Sequence, residues 1–406
     1  MLLYRCLLSL FALVVLVRAA RRDGLAGLKA RLGHGPVVDA PHVWLHGASN
    51  GELASVRPVL TRLIAARPDL HWLITTNSAT GQQMVRTWDL PRCSVRPAPL
   101  DLQRVSRRMM RRWDVRAHIS LESELWPHRF AACPGPVLLL GARLSAKTAR
   151  AWSRMPRLAR QLLAQVRLAS AQDADSARRL AELGLPDSAQ GPVFDLKALY
   201  EPPETTPDAA LTHAFPRTQT WLAASTHEGE DATVLDAHAA LLDHAPETRL
   251  ILAPRHPQRA EAIARAAQAR GLTVARRSLH DAPDAQVYIA DTLGEMALWY
   301  RLAGRVFIGG TLTDRGGHTP YEPASFGCAL IHGPDTRNFA APFARLAKAG
   351  AARQVAEAEA LAEALLALGP SQHDAGLRAR EALRQDSAPG DFVARILATL
   401  PAVGKS

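Results

Sequence analysis

The chain has 406 residues, 48% of them hydrophobic, and carries 49 Lys and Arg against 38 Asp and Glu, a formal net charge of +11. That length can bury two ordinary cores, and the charge suits a partner bearing phosphate or an anionic membrane surface. Only 5% of residues are aromatic and no basic stretch is interleaved with them, which argues against a nucleic-acid platform; Cys6, Cys93, Cys133 and Cys328 show no CxxC or His/Cys spacing, which argues against structural zinc or a disulfide framework and fits a reducing compartment.

The chain opens with "MLLYRCLLSLFALVVLVRAARR", an apolar run interrupted by Arg5 and closed by Arg18, Arg21 and Arg22. Residues 1–22 are expected to form a short membrane anchor. A cleaved signal peptide shares the basic start and short apolar core, but its one small-residue site, Ala19 and Ala20, is flanked by arginines. The arginines beyond the run place the rest of the chain on the cytoplasmic side.

From residue 42 short apolar runs alternate with amphipathic stretches, the pattern of parallel α/β domains. "HVWLHGAS" reads as a strand and "GELASVRPVLTRLIAARP" as a helix with Val56, Val59, Leu60, Leu63 and Ile64 on one face. "HWLITT", "AHISLES", "PVLLLGAR" and "VRLASAQ" read as further strands, and "DADSARRLAELG" as a helix capped by Asp173 or Asp175 and closed at Gly184. Residues 200–220, rich in Pro and Thr and without periodicity, are the expected linker. The first domain is therefore assigned to residues 23–200 and the second to 201–406. In the second, "WLAAST", "RLILAPR", "QVYIAD", "RVFIGG" and "CALIHG" read as strands. The last apolar helix, "DFVARILATL", is placed to pack back on the first domain. Two doubly wound domains so joined are expected to bind ligands in a cleft at the carboxyl ends of their sheets.

Charged and glycine-rich groups recur at the strand-to-helix junctions. Glu52, in "HGASNGE", is either a carboxylate stabilising a helix N-terminus or a general base for an acceptor hydroxyl. Glu122 and Glu124, in "LESELWP", stand two apart at a strand end and are expected to share a face, either as a solvated pair or as groups that orient a sugar and tune each other's pKa. Arg255 and His256, in "APRHPQR", precede a helix start, where a phosphate would offset the unfavourable cation. In "RVFIGGTLTDRGGHTPYEPASFG" the amides around Gly309, Gly310, Gly316 and Gly317 suggest either an anion-binding nest or a tight turn, with Glu322 placed to hold vicinal hydroxyls. No metal-binding pattern, GxGxxG, GxSxG or GK[ST] appears.

Ten ordered pieces carry a family resemblance: the hydrophobic start, "HGASNGE", "TTNSATG", "LESELWP", "GARLSAKTAR", "ASTHEGED", "LILAPRHPQR", "ADTLGEM", "GGTLTDRGGHTPYEPASFG" and "GPDTRNF". Over almost its whole length the chain resembles the membrane-anchored 3-deoxy-D-manno-octulosonic acid (Kdo) transferases of lipopolysaccharide assembly. The resemblance implies a GT-B fold of two Rossmann-like domains, with acceptor on the first and donor on the second. It implies transfer of Kdo from CMP-Kdo to a lipid A precursor, lipid IVA, at the cell inner membrane, without metal or cofactor. It makes Glu52 the catalytic base and Glu122 or Glu124 a second essential acid. It makes Pro254, Arg255, Leu293, Gly294, Glu295, Thr319, Pro320, Tyr321 and Glu322 the CMP contacts. Thr319 and Tyr321 stand where the family usually has Asn and Leu, and "GPVFDLKAL" where it has Gly-Asn-Leu-Lys-Phe-Asp. A GT-B transferase using another nucleotide sugar, or a glycolipid-binding paralogue without turnover, are the alternatives.

Overall fold

The computed structural model describes residues 16–17, 21, 24–202, 204, 206–384 and 389–402. Nearly all of the expected anchor, residues 1–22, lies outside these; among the described residues no helix is long and apolar enough to cross a membrane. The chain divides into two compact units, Met1–Leu199 with Gln385–Ser406, and Tyr200–Arg384.

The first unit is built on six parallel strands: β1 (His42–His46), β2 (His71–Thr76), β3 (Cys93–Pro97), β4 (Val115–Leu121), β5 (Val137–Ala142) and β6 (Val166–Ala171). Their order is β3-β2-β1-β4-β5-β6, the doubly wound arrangement, with its switch point between β1 and β4. Helix Asn50–Ala66 buries Val56, Val59, Leu60, Leu63 and Ile64, as its spacing predicts; burial contributes about 1.5–3 kcal/mol for each such side chain. Asp173, rather than Asp175, caps helix Ala174–Glu182, accepting from the Ser176 N–H at 2.6 Å.

Helix Pro389–Thr399 joins this unit. Phe392, Val393, Ile396 and Leu400 enter the core that contains Val43, Leu53 and Leu60, and Phe392 meets Phe194 edge-on at 4.6 Å. The second domain therefore ends at Arg384 rather than at residue 406, because the apolar face of this last helix is covered by the first unit.

The second unit has seven parallel strands: β7 (Thr220–Thr226), β8 (Arg249–Pro254), β9 (Val274–Arg276), β10 (Val287–Ile289), β11 (Arg305–Ile308), β12 (Ala329–His332) and β13 (Ala352–Gln354). Their order is β13-β12-β11-β7-β8-β10-β9, so the switch point falls between β7 and β11. The expected linker is partly folded. Asp208 caps helix Ala209–Ala214, and Leu211 and Phe215 are buried, Phe215 against Tyr288 at 5.3 Å.

Candidate functional site

At the first switch point the loops after β1 and β4 carry three carboxyl groups. Ser49 caps the helix that follows β1 and accepts from the Glu52 N–H at 3.3 Å. The Glu52 carboxyl in turn accepts from the Ala48 N–H at 2.8 Å and from the Ser49 hydroxyl at 2.9 Å. This is a reciprocal helix cap, so the N-terminal stabilising role is present in the structure. It does not leave an ordinary carboxylate. Burial pushes the Glu52 pKa up to about 7, with the charges of Glu122 and Glu124 acting in the same direction against the two hydrogen bonds. A carboxyl so placed is about half ionised at neutral pH, the range in which a general base works best.

Glu122 and Glu124 lie past the end of β4, and the expectation of a shared face fails because Glu122 has φ +46 and turns the chain. The two carboxylates take separate partners. Glu122 pairs with Lys197 Nζ at 2.7 Å. Glu124 Oε2 lies 3.0 Å from His46 Nε2 and accepts from the Trp126 indole N–H at 2.8 Å. Burial raises the Glu124 pKa, but the His46 and Trp126 hydrogen bonds outweigh it and hold the carboxyl below the usual range.

His46 is fully buried, and burial, with the charge of Arg129 adding to it, lowers its pKa to about 4. The imidazole is therefore neutral at pH 7. An ionised Glu124 has no proton to offer, so the proton between them sits on His46 Nε2. His46 Nδ1 then accepts from the Thr75 hydroxyl at 2.9 Å, with the Thr75 carbonyl oxygen also 3.1 Å away, and Thr75 Oγ1 accepts from the Trp44 indole N–H at 2.8 Å. The Glu124 anion whose charge acts on Glu52 is thus held by a buried hydrogen-bond chain. His46 and Lys197 were not singled out from the sequence; each stood inside a quoted motif, "HGASNGE" preceded by its strand and "GPVFDLKAL".

At the second switch point Glu230, fully buried, follows β7. Its carboxylate accepts from four backbone N–H groups: His227 at 2.8 Å, Gly310 at 2.7 Å, Thr311 at 3.0 Å and Leu312 at 3.0 Å. The other glycine amides are engaged as well, Gly309 by the Ala224 carbonyl, Gly316 by Asp335 Oδ2 and Gly317 by the Gly310 carbonyl. The glycine loop is thus an anion nest, as its composition suggests, but the anion is the chain's own Glu230. These amides are not open to a ligand.

Pro254 is buried at the end of β8, and Arg255, exposed, donates its backbone N–H to the Thr226 carbonyl at 3.0 Å. The charge of Arg255 bears on both His227 and His318, so the loops after β7, β8 and β11 converge. At the end of β10, Leu293 is 74% exposed, Gly294 has φ +88, and Arg277 grips the Glu295 carboxylate through two nitrogens, at 2.8 and 3.2 Å. That clamp holds the Glu295 carboxyl below the usual range. Thr319 accepts from the Tyr321 N–H at 3.4 Å, and Pro320 opens the short helix Tyr321–Ser325. Tyr321 is buried, with its hydroxyl accepting from Arg345 at 2.6 Å. Glu322 is half-buried at the head of this helix, and its carbonyl accepts from the Ser325 hydroxyl at 2.6 Å. Among the described residues no group of His, Cys, Asp and Glu is arranged to hold a metal ion.

The profile described as 3-deoxy-D-manno-octulosonic-acid transferase (kdotransferase) matches residues 26–198. The 3-deoxy-D-manno-octulosonic acid transferase of Haemophilus influenzae is 32% identical over 336 residues, 80% of this chain and 78% of that protein. That of Bordetella pertussis is 32% identical over 364 residues, 84% and 81% of the two chains. Among solved structures, UDP-GlcNAc 2-epimerase from Neisseria meningitidis bound to UDP-GlcNAc superposes with a TM-score of 0.60 over 88% of this chain and all of its own, at 14% identity. HepE from Anabaena in complex with UDP and glucose does so at 0.54 over 88% and 99%, at 12% identity. At such identities the likeness is one of fold, the GT-B arrangement of two Rossmann-like domains.

Proposed function

The chain belongs to the family of Kdo transferases, and from that premise we propose that it moves Kdo from CMP-Kdo to a lipid A precursor, with Glu52 as general base. Glu52 takes the proton of an acceptor hydroxyl. The freed oxygen attacks the anomeric carbon of Kdo, and the bond to CMP breaks with its electron pair leaving on the phosphate. The observation that carries this reading is a carboxyl at the carboxyl end of the first switch-point strand whose pKa is raised to about 7. Glu124, pinned as an anion by His46 and Trp126, helps keep that pKa high and gives Glu52 greater basicity. Glu122, paired with Lys197, contributes in the same direction.

The CMP contacts proposed are Pro254 and Arg255 after β8, Leu293–Glu295 after β10, and Thr319–Glu322 after β11, all at the carboxyl ends of strands, where doubly wound sheets take nucleotides. Of these, Arg255 and the exposed Leu293 present side chains to solvent. Tyr321, turned onto Arg345, contributes through its backbone. The lipid acceptor fits an anchor at residues 1–22 that holds the catalytic units on the cytoplasmic face of the inner membrane.

A pH profile tests the base. The kcat/KM for Kdo transfer is expected to rise with pH along a limb whose apparent pKa is near 7, as Glu52 loses its proton. A limb near 4.5, the value of an unperturbed glutamate, would remove Glu52 from the role. Stability runs the other way. A carboxyl raised in the folded state favours the fold fully below about 4.5, and that contribution is lost as pH climbs through about 7.

A further inference from the structure

His227 follows β7, and His318 closes the glycine loop after β11, so both stand at the second switch point. Their Nε2 atoms are 3.0 Å apart. The rings are nearly parallel, with centroids 5.1 Å apart and planes within 9°, and so meet end to end, and His256 meets His227 edge-on at 5.9 Å. Gly310 lies beside the pair, in a backbone conformation that favours glycine. It has φ +70, and a Cβ there would stand 3.4 Å from Cδ2 of each ring and 3.5 Å from the Arg315 Cβ. Arg255 and Arg315 are exposed, and among the described residues neither guanidinium has a hydrogen-bond or ion-pair partner. The nearby carboxylate, Glu230, is turned onto four backbone amides.

A contact of 3.0 Å between two imidazole nitrogens requires one proton between them. One ring donates Nε2–H and keeps a bare Nδ1; the other accepts and carries Nδ1–H. A further proton on the bare Nδ1 would give the pair two outward donors and a positive charge. In the free protein that proton is opposed. Burial first, then His227 and Arg255, lower His318 to about 4. Burial also lowers His227, and together with the charges of Arg315, His256 and Arg255 it outweighs the opposing charge of Glu230. An anion seated among these groups would act in the opposite direction.

We propose that His227 and His318, with Arg255 and Arg315, form the binding site for a nucleotide phosphate, and that the histidine pair takes up a proton from solvent as the phosphate binds. The site rests on the reading of the chain as a nucleotide-sugar transferase, and it takes the part that the glycine amides, held by Glu230, cannot. A protonated pair also stabilises the charge that develops on the phosphate as it leaves.

Calorimetric titration of the full chain with CMP at pH 7.5, in two buffers of different ionisation enthalpy, measures the proton uptake. The wild type is expected to take up about one proton more per CMP than His318→Gln or His227→Gln, and its affinity to fall about tenfold per pH unit more steeply. The nucleotide's own ionisation cancels in this difference, and matched melting temperatures establish that the variants are folded. Equal uptake in wild type and both folded variants overturns the site while leaving CMP as the donor nucleotide. If CMP fails to bind but UMP or GMP binds with the extra proton, the site stands and the CMP-sugar reading falls. Absence of binding by any of the three overturns both.

Discussion

Replacing Glu52 by glutamine is expected to lower kcat for Kdo transfer by about 100- to 10,000-fold, the usual range for loss of a positioned base, with the melting temperature close to that of the wild type. The two roles of Glu52 make glutamine the informative substitution. Its carboxamide oxygen can still accept from the Ala48 N–H, and its NH2 can donate to Ser49 Oγ, so the cap on helix Asn50–Ala66 survives. What disappears is the lone-pair basicity. Alanine would remove both and add a helix-end loss of about 0.3–1.5 kcal/mol. Initial rates at saturating donor and acceptor, beside a thermal melt, separate the two. A glutamine variant with wild-type kcat would reduce Glu52 to a helix cap.

The largest effect on stability is expected at Glu230. In Glu230→Ala four backbone N–H groups lose their acceptor at once, those of His227, Gly310, Thr311 and Leu312. Leaving a buried donor unsatisfied costs about 1–3 kcal/mol, so even with water entering the gap the loss should reach about 3 kcal/mol or more. Glutamine would rescue little, because its NH2 would face N–H groups where an oxygen accepts now. Asp335→Asn is the contrast: it touches the same loop through the Gly316 N–H and an exposed pair with Arg337, and should cost only about 1 kcal/mol. Urea unfolding gives the ranking, and hydrogen exchange at Gly310–Leu312 locates it. Glu230→Ala within 0.5 kcal/mol of the wild type, an interval of about the scatter of surface substitutions, would mean the loop does not depend on its internal anion.

The interior strands were legible because both faces of a parallel sheet are buried, which leaves runs such as Leu250–Ala253 or Val137–Leu140 almost wholly apolar. Of the edge strands only β6, with its buried run in "VRLASAQ", was legible; β3, β9 and β13 were not. All residues of β3 are half-exposed, and β13 ends on exposed Arg353 and Gln354, so neither shows an apolar run. Glu52 could be picked out because capping and catalysis both call for a carboxylate at a strand-to-helix junction. The partners of Glu122 and Glu124 could not, since they follow from one positive φ that the pattern does not announce. Glu230 was hidden by distance along the chain. In "ASTHEGED" it reads as one charge among several, and only the pairing of β7 with β11 brings the amides of Gly310–Leu312 to it.

The central claim is transfer of Kdo from CMP-Kdo to a lipid acceptor by this chain, and it is tested most directly by incubating the full-length protein with CMP-Kdo and lipid IVA and weighing the product by mass spectrometry. The expected result is lipid IVA carrying one or more added Kdo residues, with an equal number of CMP molecules released, and both formed about 100- to 10,000-fold more slowly by Glu52→Gln. Unmodified lipid IVA in the presence of CMP-Kdo, from protein that transfers a sugar from a uridine or guanosine nucleotide instead, would contradict it.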